Sequence, residues 1–262
     1  MQNQKMTAIP FDPGVGQVTP ALPDPTALID AIGLEGPVIG VYDAPDPMPF
    51  APLVAPKSGT RACVFAFFQA WRAGQTLHLT RDNTACGGAS HWLWNTPTRS
   101  RADFVKFLVD AEGLKADHAL MQQWLDASHP YQPTYEHLLI GPLRAGQETY
   151  LKTITLYVNP DQLSLLLTGA QYNAALGDPA PAIAPFGSGC SQLLPLFDDL
   201  GVPQAIIGGT DIAMRQYLPP DVLAFTMTLP LWKQLCSLDD SSFLFKPFWQ
   251  RLQQARRRGE PQ

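Results

Sequence analysis

The chain has 262 residues, 45% of them apolar and 16% charged, with a formal net charge of -5 at pH 7. Such a composition buries a sizeable core in one large domain or two small ones. It also lacks the basic face that general nucleic-acid binding needs, since the one basic run is Arg256-Arg257-Arg258. No apolar run approaches the ~18 residues of a membrane span. The stretch from Met1 to Pro10 has no apolar signal region, so a cytoplasmic protein is expected. In that reducing setting four cysteines read as buried thiols, metal ligands or catalytic groups rather than as a disulfide framework.

Twenty-six prolines, many of them within residues 8–57, make residues 1–24 an extended segment. Residues 25–240 are read as one α+β domain, and residues 241–262 as a C-terminal helix and tail. A first strand is expected over Pro37–Tyr42, a helix over 61–73 that Thr60 caps, and a strand over Thr76–Thr80. A helix begins at Cys86. Helices at 101–113 and 117–127 follow, before Pro130 and Pro133 break the chain. Strands over Glu136–Gly141 and Leu151–Val158 form a candidate hairpin through Arg144–Gln147. A helix over Asp161–Leu176 starts near Asn159 or Pro160. A second Cys helix begins at Cys190. A strand over Gln204–Gly208, a short helix over Asp211–Tyr217, a strand over Val222–Leu229 and helices over Leu231–Leu238 and Phe243–Arg258 complete the chain.

Two stretches read as copies of one motif: a helix stopped by Gly, a short extended run, a Gly-containing turn carrying Cys, and another helix. Gly74 lies 12 residues before Cys86, and Gly177 lies 13 before Cys190. Gly-Val-Tyr42 before the first copy matches Thr-Leu-Tyr157 before the second. An internal duplication follows, about 37–143 and 151–235. The fold is then one mixed sheet, or two pseudo-symmetric subdomains, covered by helices.

The duplication pairs Cys86 with Cys190. A Cys at a helix start is pushed toward the thiolate, the form that attacks electrophiles and binds metals. Gly87 and Gly88 after Cys86, and Gly187 and Gly189 before Cys190, permit close approach of backbone to a ligand. Cys63 is the candidate third ligand. Three thiolates suit an iron–sulfur cluster with one iron open, or a metal with an exchangeable position, although no short spacing such as Cys-x-x-Cys is present. Cys236 lies among apolar residues and reads as core. His91 is a candidate ligand or proton-transfer group, whereas His78, His118, His129 and His137 form no motif. Asp211 and Arg215 are spaced i, i+4. They read either as an ion pair or as an Arg presented at the Gly208-Gly209 turn to an anion. Dinucleotide, P-loop and Gly-x-Ser-x-Gly motifs are absent from the sequence.

With Cys63, Thr-Ala-Cys86-Gly-Gly-Ala, Leu-Leu-Ile-Gly-Pro-Leu143, Tyr-Val-Asn-Pro-Asp-Gln162, Gly-Ser-Gly-Cys190 and Asp211-x-x-x-Arg215, the chain resembles the uncharacterised family called domain of unknown function 169, over roughly residues 25–238. The resemblance implies no activity. Many members carry a Gly-Cys element where this chain has Gly209-Thr210, so a four-thiolate site is not expected here. Two functions follow as expectations. The first is a protein holding an iron–sulfur cluster or metal on Cys63, Cys86 and Cys190, beside Gly87, Gly88 and Arg215, with a redox or accessory role and a small molecule or redox protein as partner. The second is a metal-free module that binds an anionic metabolite at the glycine-flanked helix starts. A thiol enzyme with Cys86 as nucleophile ranks last, because His91 is the only base near it in sequence.

Overall fold

The alternation of large apolar residues along Ile39-Gly40-Val41-Tyr42 and along Ile154-Thr155-Leu156-Tyr157-Val158 puts apolar side chains on both faces of the strands. These two stretches form the middle of an eight-stranded sheet. The computed structural model describes residues 21–57, 59–175 and 177–258. Their elements are α1 (Thr26–Ile32), β1 (Ile39–Ala44), β2 (Leu53–Val54), α2 (Phe68–Arg72), β3 (Thr76–Leu79), α3 (Gly87–Trp94), α4 (Arg101–Lys106), α5 (His118–Ala127), β4 (His137–Pro142), β5 (Leu151–Val158), α6 (Pro160–Gln171), β6 (Ala182–Ile183), β7 (Ala205–Gly208), β8 (Leu223–Thr228), α7 (Leu229–Cys236) and α8 (Pro247–Arg258). The protein is α+β with a mixed sheet, as expected. Most of the Pro-rich segment assigned to residues 1–24 lies outside the described residues; its end is followed directly by α1.

The strand order is β2-β3-β4-β1-β5-β8-β7-β6. Outward from the central antiparallel pair β1–β5, each half repeats one pattern: first strand, fourth, third, second. In each half the first and third strands pair antiparallel with the fourth, and the second pairs parallel with the third. A two-fold axis normal to the sheet between β1 and β5 therefore relates the halves in strand order and direction. Strands β2 and β3 run opposite to β6 and β7, so the loops after them enter one face of the sheet from opposite ends.

Each face has its own core. Tyr42, Leu139, Ile154, Leu156, Phe225 and Met227 pack under α1, α6 and α7 with Leu166, Leu231 and Trp232. Ile39, Val41, Leu77, Leu79, Leu138 and Ile140 pack on the other side with Phe65, Trp71, Trp92, Leu93, Cys190 and Met214. The second layer carries every cysteine of interest. Cys236 packs against the first core at the end of α7, in keeping with a structural thiol. Burial raises its pKa to about 12, with Asp24 a smaller contributor.

Several local expectations are corrected. Strands β4 and β5 are not a hairpin, because β1 lies between them. The helix expected over 61–73 is extended through Cys63, then a 3-10 turn at Val64–Phe67, then the five residues of α2. Phe65 and Phe68 are drawn into the core there, and tertiary packing overrides the continuous helical propensity. No helix follows Cys190; residues 190–196 are a series of turns. Gly187 and Gly189 before it, and Pro195 after it, disfavour a regular helix. The helix over 101–113 is α4 followed by a π turn at Phe107–Ala111, a rare form found mostly at functional sites. The α6 start is as read, a capping box in which Asn159 and Gln162 exchange side-chain-to-backbone bonds of 2.9 Å, with Pro160 in the first turn.

Candidate functional site

The loop after β2 delivers Cys63, the loop after β3 delivers Cys86, and the loop after β6 delivers Cys190. All three line one cavity of about 740 Å³ in the second layer, together with Thr210 and Asp211 from the loop after β7. Strand order thus matches Cys63 with Cys190, and Cys86 with the Thr210–Asp211 turn. The motif comparison had set Cys86 against Cys190 and the Thr76–Thr80 strand against Pro181–Pro185. The strand equivalent to β3 is β7, and β6 answers to β2.

Glycine is what lets these loops meet. A Cβ on Gly189 would sit 2.7 Å from the Phe65 ring and 3.0 Å from Met214, so only glycine lets the Cys190 loop seat against them. A Cβ on Gly88 would lie 3.8 Å from the Cys190 sulfur, which puts that thiol beside the first turn of α3. Cys86 is the N-cap of α3, as expected, and its side chain makes no capping bond. The loops are tied by Asp211, a cap candidate in the sequence, and by Gln192, which sequence reading passed over. Asp211 Oδ2 accepts from the Gly189 N–H at 2.9 Å, and its Oδ1 accepts from the Ala213 N–H at 2.9 Å. Gln192 donates to Thr210 Oγ1 at 2.7 Å and accepts from the Gly209 N–H at 3.0 Å. A Gly-Gly-Thr-Asp run signals the cap, but no local pattern signals a Gln that bridges to it from 17 residues away.

Arg215 is placed differently from the expectation. Its guanidinium donates to the carbonyls of Gly209, Pro219, Pro220 and Val222, and it does not line the cavity. It makes no ion pair with Asp211 among the described residues. Its four carbonyl partners leave little of the fork for an anion, so it is a clamp on the 209–222 loop. Gly87 lines the neighbouring cavity, and Gly88 lines both. His91 is buried in α3 against Trp92 and Phe104 and also faces the neighbouring cavity.

The electrostatics favour neutral thiols. Burial pushes the Cys63 thiol up to about 11, ahead of the neighbouring backbone N–H groups, which pull it down, and of Cys86 and Asp211, which push it up. Burial raises Cys190 further, and Cys86, Cys63 and Asp211 add to it while the Ser188 hydroxyl opposes. Burial thus keeps Cys63 and Cys190 protonated at pH 7, with the nearby Cys86 and Asp211 acting in the same direction. Apart from Glu112, Ser188 and Thr210, the rest of the cavity is aromatic and apolar. Trp124 stacks edge-on to Trp92 at 5.2 Å and to Phe186 at 4.8 Å, and Phe104, Phe107 and Leu108 form the opposite wall. Among the described residues no three His, Cys, Asp or Glu side chains are close enough to hold a single metal ion.

A model of the uncharacterised ArCR family, domain of unknown function 169, matches residues 27–237. The chain belongs to this family. The matched span begins in α1 and ends just after α7, so the whole sheet and all three cavity cysteines lie within it. No curated protein and no solved structure matches the chain. No helix among the described residues is long and apolar enough to cross a membrane.

Proposed function

We propose that this member of the family holds a thiolate-bound cofactor in its central cavity, with Cys63, Cys86 and Cys190 as ligands. The observation that carries the reading is the convergence of three of the chain's four cysteines, from three separate loops, on one cavity. An iron–sulfur cluster fits this donor set better than one ion. Thiolates are its usual ligands, and a cluster is broad enough to be reached by side chains too far apart to share a single metal. The thiols must lose protons to bind, so uptake is linked to proton release, and a neighbouring positive centre would offset the burial that keeps Cys63 and Cys190 neutral. When bound, a cluster supplies one-electron chemistry or an open iron. Thr210 and Asp211 line the same cavity, and neither is a thiol. Such a site belongs in a reducing compartment, in line with a cytoplasmic location and with a small molecule or redox protein as partner.

The matching strand order of the halves supports an origin by duplication, with the site built where the two copies face each other. Replacing Cys86 with Ser tests the cofactor reading. Iron content in protein purified without oxygen drops to background in C86S, and full iron in that variant rules the reading out.

A second reading has its own observation. The cavity wall is largely apolar, with several aromatic rings, and burial holds Cys63 and Cys190 neutral, as suits a metal-free pocket for a small organic molecule. It predicts colourless protein whose melting temperature rises with an apolar or anionic metabolite.

A further inference from the structure

A second cavity, of about 330 Å³, shares Cys86 with the first, and charged and polar side chains stand among its lining residues. Arg61 and Arg99 both line it. Neither is in an ion pair among the described residues, whose pairs are Arg101–Asp126, His118–Asp110 and Arg256–Asp161. The Arg99 guanidinium is held 4.1 Å over the Phe107 ring, which orients its fork without using its N–H donors. The first turn of α3 faces the same space. It opens with Gly87-Gly88, and Cys86 gives it no capping bond, so its leading N–H groups are unsatisfied. A Cβ on Gly87 would lie 3.2 Å from Thr98 Oγ1, so glycine there keeps that hydroxyl close to the helix start.

His91 adds an independent sign. It lines this cavity and is only 9% exposed, yet its Nδ1 has no hydrogen-bond partner. Burial lowers its pKa, with Arg101 second, so the ring is neutral at pH 7. One carboxylate, Glu112, shares the space. Burial raises its pKa and Asp211 adds to that, while Arg99 opposes. Two guanidinium groups against one carboxylate leave the pocket cationic.

This pocket adjoins the larger one. Cys86, Gly88, Phe104, Phe107 and Glu112 line both. A ligand that reaches past Phe107 leaves the arginines and meets Trp92, Trp124 and Phe186. We infer that the two cavities together bind an amphiphilic oxyanion, its phosphate or carboxylate head on Arg61, Arg99 and the α3 start, and its flat apolar body against the tryptophans. This rests on the central cavity being a binding site, as proposed above, and names the ligand class beside the thiols; it needs no cluster.

Calorimetric titration with 1-naphthyl phosphate, 1-naphthoate, inorganic phosphate and 1-naphthol tests it. At least one naphthyl anion binds roughly tenfold or more tighter than both inorganic phosphate and 1-naphthol, as expected for charge-assisted bonds added to apolar burial. The tighter of the two anions identifies the head. The double variant Arg61→Met/Arg99→Met loses that gain, while 1-naphthol affinity and melting temperature stay put. Naphthyl anions that bind no tighter than their separate parts, or that bind the double variant as tightly as the parent, overturn the inference. Running the same titration on C190S separates it from the cofactor reading. Anion binding that persists in C190S leaves this inference standing whatever the iron content, and full iron in C190S counts against the thiolate site alone. Iron-loaded protein that ignores the naphthyl anions does the reverse.

Discussion

Gly189 and Gly88 flank the same thiol and respond in opposite ways to one added methyl group. In Gly189→Ala the new Cβ meets the Phe65 ring at 2.7 Å and Met214 at 3.0 Å. Phe65 is 1% exposed and braced edge-on by Trp71 at 5.9 Å, and Met214 is equally buried, so neither can step aside cheaply. Overpacking of this kind costs about 1–3 kcal/mol. At roughly 2–4 °C per kcal/mol for a chain of this size, the melting temperature falls by roughly 2–12 °C. In Gly88→Ala the Cβ lies at an ordinary 3.8 Å from the Cys190 sulfur, and Gly88 sits inside α3 with a helical backbone. Replacing a helical Gly by Ala gains up to about 1 kcal/mol, so this variant melts at or slightly above the parent. Differential scanning calorimetry of the two variants reads the contrast. A Gly189→Ala protein that melts within 1 °C of the parent (about the reproducibility of the assay) refutes the claim that the Cys190 loop is seated by steric exclusion at that glycine.

Asp43, wholly buried on β1, accepts from the Tyr131 hydroxyl at 2.8 Å and from the N–H groups of Thr134 and Tyr135 at 2.7 and 2.9 Å. Asp43→Ala strands three donors and costs about 3 kcal/mol or more in a denaturant titration, and a loss under 1 kcal/mol contradicts that role. Arg215→Met, which leaves four carbonyls without their shared donor, costs about 2–3 kcal/mol while leaving anion affinity unchanged; a selective loss of anion affinity restores Arg215 to the ligand site. Stability also carries a thiol signature at high pH. The Cys63 pKa is raised from 9.0 to about 11, so its contribution is intact below pH 9 and is lost as pH rises through 11. Denaturation midpoints at pH 8 and pH 10.5 therefore fall less in Cys63→Ser than in the parent, and parallel losses in the two proteins count against a buried Cys63.

The strands were legible because period-2 alternation is local: β1, β3, β5, β7 and β8 lie within two residues of their expected positions. So was the cap of α6, whose Asn-Pro-x-Gln signal is complete in four residues. What failed was long-range. Adjacency in sequence suggested that β4 and β5 pair, whereas β1, about a hundred residues before them, separates them. Motif likeness paired Cys86 with Cys190, whereas sheet position pairs Cys63 with Cys190. The weak repeat singled out two thiols that do line one cavity, but through a register the sheet does not follow. Helicity after Cys190 and through Phe65 was overruled by packing against the second core, which no single window contains. The Arg61, His91 and Arg99 cluster was unreadable for the same reason: those residues belong to three elements that converge only in the fold.

The central claim is that Cys63, Cys86 and Cys190 act together on a bound cofactor. An absorbance spectrum, with iron and sulfide analysis on protein purified without oxygen, tests it most directly. The account predicts a broad band near ~400 nm with matching iron and sulfide, the mark of cysteine-ligated clusters, and its loss in C86S. Colourless, metal-free parent protein from the same preparation contradicts it and leaves the cavity to an organic ligand alone.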